Sequence, residues 1–362
     1  MKKWHYQRSL LSMALLLFSS LSFGCASAFG NQNWKWFDGT EKDGLKNLQL
    51  DSTLAHKNRP LPYANKNEVI GSGAFNYRIQ GHETLLLLAR TYDLGYNEVS
   101  LANPKMDAWA PKKGQEVFLS MTHVLPTDIH QGTALVINLP EMRLYHRRAD
   151  GRLETFPVGI GREGFDTPIS RAKIIRKKSA PSWYVPASIR EENPKLPAVI
   201  PPGASNPLGS HAIYLSLPGY LIHGTNKPYG IGRRVSHGCI RMYPEDIPRL
   251  YTSARVGATV AIVNEPAKAG WFGDNLLLEI YPGLPTRKKG EKETTPPQPM
   301  EEQAAMSIRK ALERRSGYSA KIDWDLVRGM ARAPDGIPRV VGRMLVGDDV
   351  KQLVPVRLIE PR

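Results

Sequence analysis

Between residues 77 and 119 the spacing of apolar positions changes three times. Residues 77–80 (Tyr-Arg-Ile-Gln) read as a strand, Gly81-His82 as a turn, and residues 83–92 as a capped helix carrying four consecutive leucines. Residues 97–103 form a second short helical stretch ended by Pro104, and 116–119 (Glu-Val-Phe-Leu) close with a strand. The pattern predicts a small βααβ unit over residues 73–121. Residues 29–72 ahead of it show little periodicity and read as a lead-in.

From residue 131 to 264 short strands dominate. Residues 134–138 and 142–146 flank a turn at Leu139-Pro140-Glu141 as a hairpin, and 154–160, 172–176, 212–217, 220–223 and 258–263 are further strand candidates. Helical signals are sparse here, apart from a segment entered at Pro244-Glu245-Asp246. The expectation is a mainly β (α+β) chain, with a β-sandwich-like domain decorated by small helices. Residues 179–209 hold Trp183, Tyr184, many prolines and little periodicity, which suggests a loop bordering a substrate. Past residue 282 the composition turns to Lys, Glu, Thr and Pro, so 283–300 reads as a linker. In the C-terminal extension, 301–362, Ala305, Ile308, Ala311 and Leu312 recur at helical spacing. A second helix is predicted at 323–330 and a terminal strand around 353–358.

The first residues change the picture of where the chain works. Lys2, Lys3 and Arg8 precede an apolar run from Leu10 to Leu21 and the small residues Ala26-Ser27-Ala28, the layout of a secretory signal over 1–28, cleaved after Ala28. Lipidation at Cys25 is the lesser alternative, because Ser22 stands where such signals carry a branched apolar residue. The chain has two cysteines, so cleavage leaves Cys239 alone, and a solitary thiol in an oxidising compartment points to reactivity. The net charge of +15 asks for anionic partners, but no nucleic-acid-binding motif accompanies the scattered Lys and Arg.

Candidate chemistry gathers around Cys239. A nucleophile needs a base within reach, and His223 and His237 lie within seventeen residues of it. If 236–240 is extended, His237 and Cys239 project from one face, with Gly238 leaving room between them. Arg233, Arg234 and Arg241 are expected to favour the thiolate and lower its pKa from about 8.5. A zinc site is set aside because no CxxC, HExxH or fourth ligand accompanies these residues, so neither metal nor cofactor is expected.

His223-Gly224-Thr225-Asn226 followed by Ser236-His237-Gly238-Cys239-Ile240-Arg241-Met242 resembles the active-site signature of the L,D-transpeptidase (YkuD) family, which remodels bacterial peptidoglycan. Asp166-Thr167-Pro168, Asn206-Pro207-Leu208-Gly209 and Gly219-Tyr220-Leu221-Ile222 extend the resemblance over about residues 130–264. It implies Cys239 as nucleophile, His223 as general base and acid, and the Gly224 carbonyl as the group orienting His223. Ser236, His237, Gly238 and Arg241 match the rest of the motif, with the N–H groups of Gly238 and Cys239 as oxyanion donors. Many members carry Asn where this chain has Arg241, a candidate for holding a substrate carboxylate.

The implied reaction forms a Cys thioester at meso-diaminopimelate of a tetrapeptide stem with release of D-alanine, followed by transfer to an amine. Acceptors implied are a second diaminopimelate or the C-terminal lysine of an outer-membrane lipoprotein, and the overall layout resembles the lipoprotein-attaching subgroup. Water as acceptor, or a non-catalytic wall-binding role, are the rival readings. The βααβ unit resembles a LysM module, which binds N-acetylglucosamine-containing glycan; His82 departs from the Gly usual at that turn. The expected location is the periplasm.

Overall fold

The computed structural model describes residues 61–62, 68–285, 298–316 and 318–345. The signal segment, most of the lead-in, the central part of the linker and the strand expected around 353–358 lie outside the described residues.

The strand-helix-helix-strand order appears as β2 (Val69–Arg78), α1 (Leu85–Thr91), α2 (Tyr96–Ala102) and β3 (Glu116–Val124), after a two-residue strand β1 (Leu61–Pro62). Thr84 caps α1, its hydroxyl accepting from the Leu87 amide at 3.0 Å, a bond worth about 1 kcal/mol to a short helix. Leu85, Leu88 and Ala89 of α1, Val99 of α2 and Val117 and Leu119 of β3 close over Ile79 and Leu94 in a small apolar core. Both strands run further than their sequence pattern suggested. Ile70, beyond the irregular register at Gly71–Ala74, packs with Leu125 against the next unit, so the βααβ unit is rooted in it.

That next unit contains α3 (Thr127–His130), β4 (Leu135–Asn138), β5 (Arg143–Arg147), β6 (Arg152–Gly161), β7 (Ser170–Ser179), β8 (Trp183–Tyr184), α4 (Ala187–Glu192) and β9 (Val199–Ile200). It continues with β10 (His211–Leu215), β11 (Leu221–His223), β12 (Arg234–Ser236), β13 (Ile240–Met242), α5 (Ile247–Ser253) and β14 (Thr259–Val263). The mainly β character is as expected. The two layers of a sandwich, however, are one sheet that closes on itself in the order β6-β13-β11-β10-β7-β14-β4-β5, β5 pairing back to β6. The reason is the length of β6: residues 153–157 pair with β5, residues 158–159 with β13, and its end with β12. Alternate residues of the ring strands point inward, among them Ile137, Leu144, Phe156, Val158, Ile174, Ile213, Ile222, Ile240 and Ile262, and α5 contributes Ile247 and Leu250. The helix begins at Ile247, after the Pro244-Glu245-Asp246 signal, with Asp246 buried at its N-cap position.

The chain then builds a third unit. β15 (Ala267–Phe272) and β16 (Asn275–Ile280) form a hairpin, and β16 pairs with β18 (Arg339–Leu345), itself paired with β17 (Ser319–Ile322). α6 (Met300–Glu313) and α7 (Trp324–Arg332) cover this sheet through Ala304, Ile308, Ala311, Val327 and Met330, and the Asp323 carboxylate caps α7 at 2.9 Å from the Leu326 amide. The helices expected in the extension are present, but they pack on a hairpin that precedes the linker. Trp271 on that hairpin is buried, its indole N–H donating to the Ala311 carbonyl at 2.8 Å. Lys268 of the same hairpin is also buried, between the carboxylates of Glu141 and Glu279.

Candidate active site

Two short strands position the central residues. β11 and β13 run parallel in the register Ile222↔Ile240 and His223↔Arg241. Ile222 and Ile240 point into the apolar core, so their neighbours Leu221, His223, Cys239 and Arg241 share the opposite face. Carried one residue back, the register sets Cys239, just ahead of β13, opposite Leu221 and two positions before His223.

His223 is 4% exposed, and its Nδ1 lies 2.6 Å from the Gly224 carbonyl oxygen. A carbonyl only accepts, so Nδ1 carries the proton and Nε2 is left as the basic nitrogen. Burial, and then the Arg241 charge, push the imidazole down to about 4, so it is neutral near pH 7. Gly224 is closely packed: a Cβ there would stand 3.0 Å from Ile247 Cγ2 and 3.3 Å from the Leu208 carbonyl oxygen.

Cys239 is partly exposed, and its thiol donates to the Gly219 carbonyl at 3.6 Å. The expectation of a lowered thiol pKa is overturned. Burial pushes it up, and the opposing influences, the Leu221 N–H and the Arg241 charge, are smaller. The cationic ring read from the sequence is mostly engaged elsewhere: Arg234 Nη2 is 2.6 Å from Asp166 Oδ1, and the Arg233 guanidinium lies over the Tyr96 ring, 5.3 Å from its centroid. Arg241 alone of the three acts on the sulfur. The resting thiol and the resting imidazole are thus both neutral.

The Ser236–Cys239 turn is tied by hydroxyls. Ser236 Oγ donates to the Cys239 carbonyl at 2.6 Å and accepts from the Gly238 N–H at 3.1 Å. Thr167 Oγ1 donates to the Gly238 carbonyl at 2.7 Å and accepts from the Gly161 N–H at 3.0 Å. The Gly238 N–H is therefore spent inside the turn, a correction to its reading as an oxyanion donor. Gly238 has φ +105°, and a Cβ would approach Tyr220 Cε1 to 2.8 Å, so only glycine fits. That dihedral also breaks the extended run 236–240, which is why His237 does not share a face with Cys239. Its Nε2 instead meets Glu192 Oε2 at 3.1 Å and Arg162 Nη2 at 3.0 Å, and its ring stands edge-on to Phe165. Glu192 sits on α4, inside the segment read as a substrate-bordering loop, and no signal in the sequence singled it out.

Arg241 is partly buried, its Nε has no hydrogen-bond partner, and no carboxylate pairs with it among the described residues. The arrangement can hold a thiol, a neutral base and an unpaired guanidinium on one face, which is the equipment of an acyl-transfer site.

His223 ends β11 and Cys239 stands just ahead of the parallel strand β13 in the closed sheet. Residues 132–262 match the YkuD family, the L,D-transpeptidase catalytic domain. The chain is 37% identical over 243 residues to the probable L,D-transpeptidase YbiS of Escherichia coli (strain K12), covering 65% of this chain and 78% of that one. It is 34% identical over 284 residues to the probable L,D-transpeptidase ErfK/SrfK of the same strain, covering 73% and 90%. With the probable L,D-transpeptidase YcfS of that strain it shares 36% over 218 residues, 58% and 67% of the two chains. The chain belongs to the L,D-transpeptidase family and is an enzyme of that class.

Proposed function

We propose that Cys239 and His223 carry out L,D-transpeptidation on peptidoglycan by a thioester route. Nε2 of His223 takes the thiol proton as Sγ attacks the carbonyl of the meso-diaminopimelate–D-alanine amide, so no standing thiolate is required. The imidazolium returns that proton to the departing nitrogen, the C–N bond breaks, D-alanine leaves, and a thioester remains on Cys239. An amine then adds to the thioester carbonyl, loses its proton to His223, and the C–S bond breaks with the sulfur regaining a proton. The Cys239 N–H is the remaining candidate for the oxyanion, and Arg241 is a fitting partner for a stem carboxylate.

The observation that carries this reading is the shared face of Cys239 and His223 set by the β11–β13 register, together with the Nδ1–Gly224 bond that leaves Nε2 basic. Incubation with a tetrapeptide-stem donor should give an acyl-enzyme visible by intact mass, with D-alanine released. Cys239→Ala should give neither; D-alanine release by that variant would remove the thiol from the mechanism.

For the acceptor, we favour the C-terminal lysine of an outer-membrane lipoprotein over a second diaminopimelate, because the layout of a βααβ unit, a catalytic unit and a C-terminal extension resembles that subgroup. Export through residues 1–28 to the periplasm, and glycan contact by a LysM-like unit at 73–121, belong to the same proposal. Mass spectrometry of sacculi digests from cells with and without the protein tests it. A lipoprotein-linked stem supports the proposal, a diaminopimelate–diaminopimelate bridge replaces the acceptor, and released monomers alone indicate transfer to water.

A further inference from the structure

The first N–H groups of a helix have no partner inside it, and the usual remedy is a side-chain cap. α2 begins after Gly95, which has no side chain to offer. Its orphan donors are satisfied from outside the βααβ unit: the Tyr96 N–H donates to the Ile231 carbonyl at 3.2 Å and the Asn97 N–H to the Gly232 carbonyl at 3.2 Å. The approach demands glycine, because a Cβ on Gly232 would collide with the Tyr96 nitrogen.

Ile231 and Gly232 open the segment that runs to the nucleophile. The Gly232 N–H bonds to the Val158 carbonyl at 3.0 Å, β12 pairs with the end of β6, and Ser236 then ties the turn that ends in Cys239. On its other side α2 is anchored in the closed sheet. Arg143 Nε and Nη2 each lie 2.8 Å from the Glu98 carboxylate, a fully buried two-point pair, and the Asn97 side-chain amide donates to the Glu141 carbonyl at 2.7 Å. α2 is thus held rigidly by β5 and in turn holds the loop.

We propose that α2 of the βααβ unit is a positioning element for Cys239, with the Tyr96 and Asn97 N–H groups fixing the 231–236 segment on which the thiol turn is carried. The βααβ unit then supports the catalytic turn through that segment. This rests on Cys239 being the nucleophile.

The test uses the full chain and the tetrapeptide-stem donor. Tyr96→Pro removes one N–H at the first helical position, where proline is tolerated, and the preceding residue already has the extended ψ of 154° that proline asks for. Tyr96→Ala removes the ring but keeps the N–H. Gly232→Ala displaces the loop outright. Tyr96→Pro is expected to lower kcat for D-alanine release about 10- to 100-fold at near-wild-type KM, while Tyr96→Ala, which gives up the Arg233 contact but keeps the N–H, loses clearly less. Wild-type kcat in folded Tyr96→Pro, a loss shared equally by Tyr96→Ala, or losses that track Tm across all three variants would overturn the proposal. Cys239→Ala runs alongside: D-alanine release by that variant would sink the nucleophile reading itself, a result separable from the behaviour of Tyr96→Pro.

Discussion

His223 and Arg241 are register partners across the parallel pair β11–β13, so a permanent cation stands next to the imidazole that must stay unprotonated to act as a base. The same cation favours the thiolate of Cys239, though less than burial opposes it. One side chain therefore biases both groups of the proposed mechanism toward their deprotonated forms.

Arg241→Gln separates these effects. Burial still holds the His223 pKa down, but without the charge it rises from about 4, and the acid limb of the acylation rate should move to higher pH. The thiol pKa should rise further, and KM for the anionic donor should increase. Arg241→Lys should retain most of the pH profile. An acid limb unchanged in Arg241→Gln would show that burial alone sets the imidazole.

The resting thiol should be slow to react with simple electrophiles. Burial holds its pKa above the ordinary thiol value, so iodoacetamide labelling of Cys239 should climb with pH and show no plateau near pH 7. A plateau at neutral pH would mean a standing thiolate–imidazolium pair and would contradict the neutral-pair description.

Ser236→Ala removes the hydroxyl that joins the Gly238 N–H to the Cys239 carbonyl. Leaving a buried donor unmatched costs about 1–3 kcal/mol, so Tm should fall measurably. Acylation should drop by about tenfold or more, because the turn that aims the thiol loosens. Ser236→Thr, which restores a hydroxyl, should recover part of both, and an alanine variant with wild-type acylation would make the hydroxyl dispensable.

Stability should fall as the solution is acidified below neutrality. Burial pushes His130, His146 and His223 down to about 4, and His123 is also lowered by burial. Their ordinary value is about 6.5, so between about pH 6.5 and 4 the unfolded chain takes up protons that the folded chain refuses. Each such histidine favours the folded state above that window and loses its contribution through it. Glu141, raised to about 8, and Asp246, raised by burial, act in the opposite direction because the folded chain holds their protons longer. The histidines outnumber them, so thermal unfolding should show a lower Tm at pH 5 than at pH 7; a flat or inverted profile would refute this balance.

Much of the site was legible in the chain itself because its chemistry is local. Gly224 must follow His223 directly for its carbonyl to hold Nδ1, and Ser236 and Gly238 must precede Cys239 at fixed intervals for one hydroxyl to close the turn. Helix caps and apolar stripes are local too, which is why α1, α6 and α7 lie where their spacing placed them. Solvation and long-range pairing are not written in any short interval. The basic residues around Cys239 suggested an acidified thiol, yet Arg234 went to Asp166, Arg233 to Tyr96, and burial raised the pKa.

Glu192 of the proline-rich segment meets His237 across 45 residues of chain, and α2 meets Ile231 and Gly232 because the βααβ unit is rooted in the closed sheet. The amino-acid order by itself determined which candidate groups the turns would carry. Only the tertiary structure decided their protonation, since that depends on how much water and which charges packing leaves beside each group. It also decided which distant backbone holds the thiol in place, because hydrogen bonds between remote segments exist only once the sheet has closed.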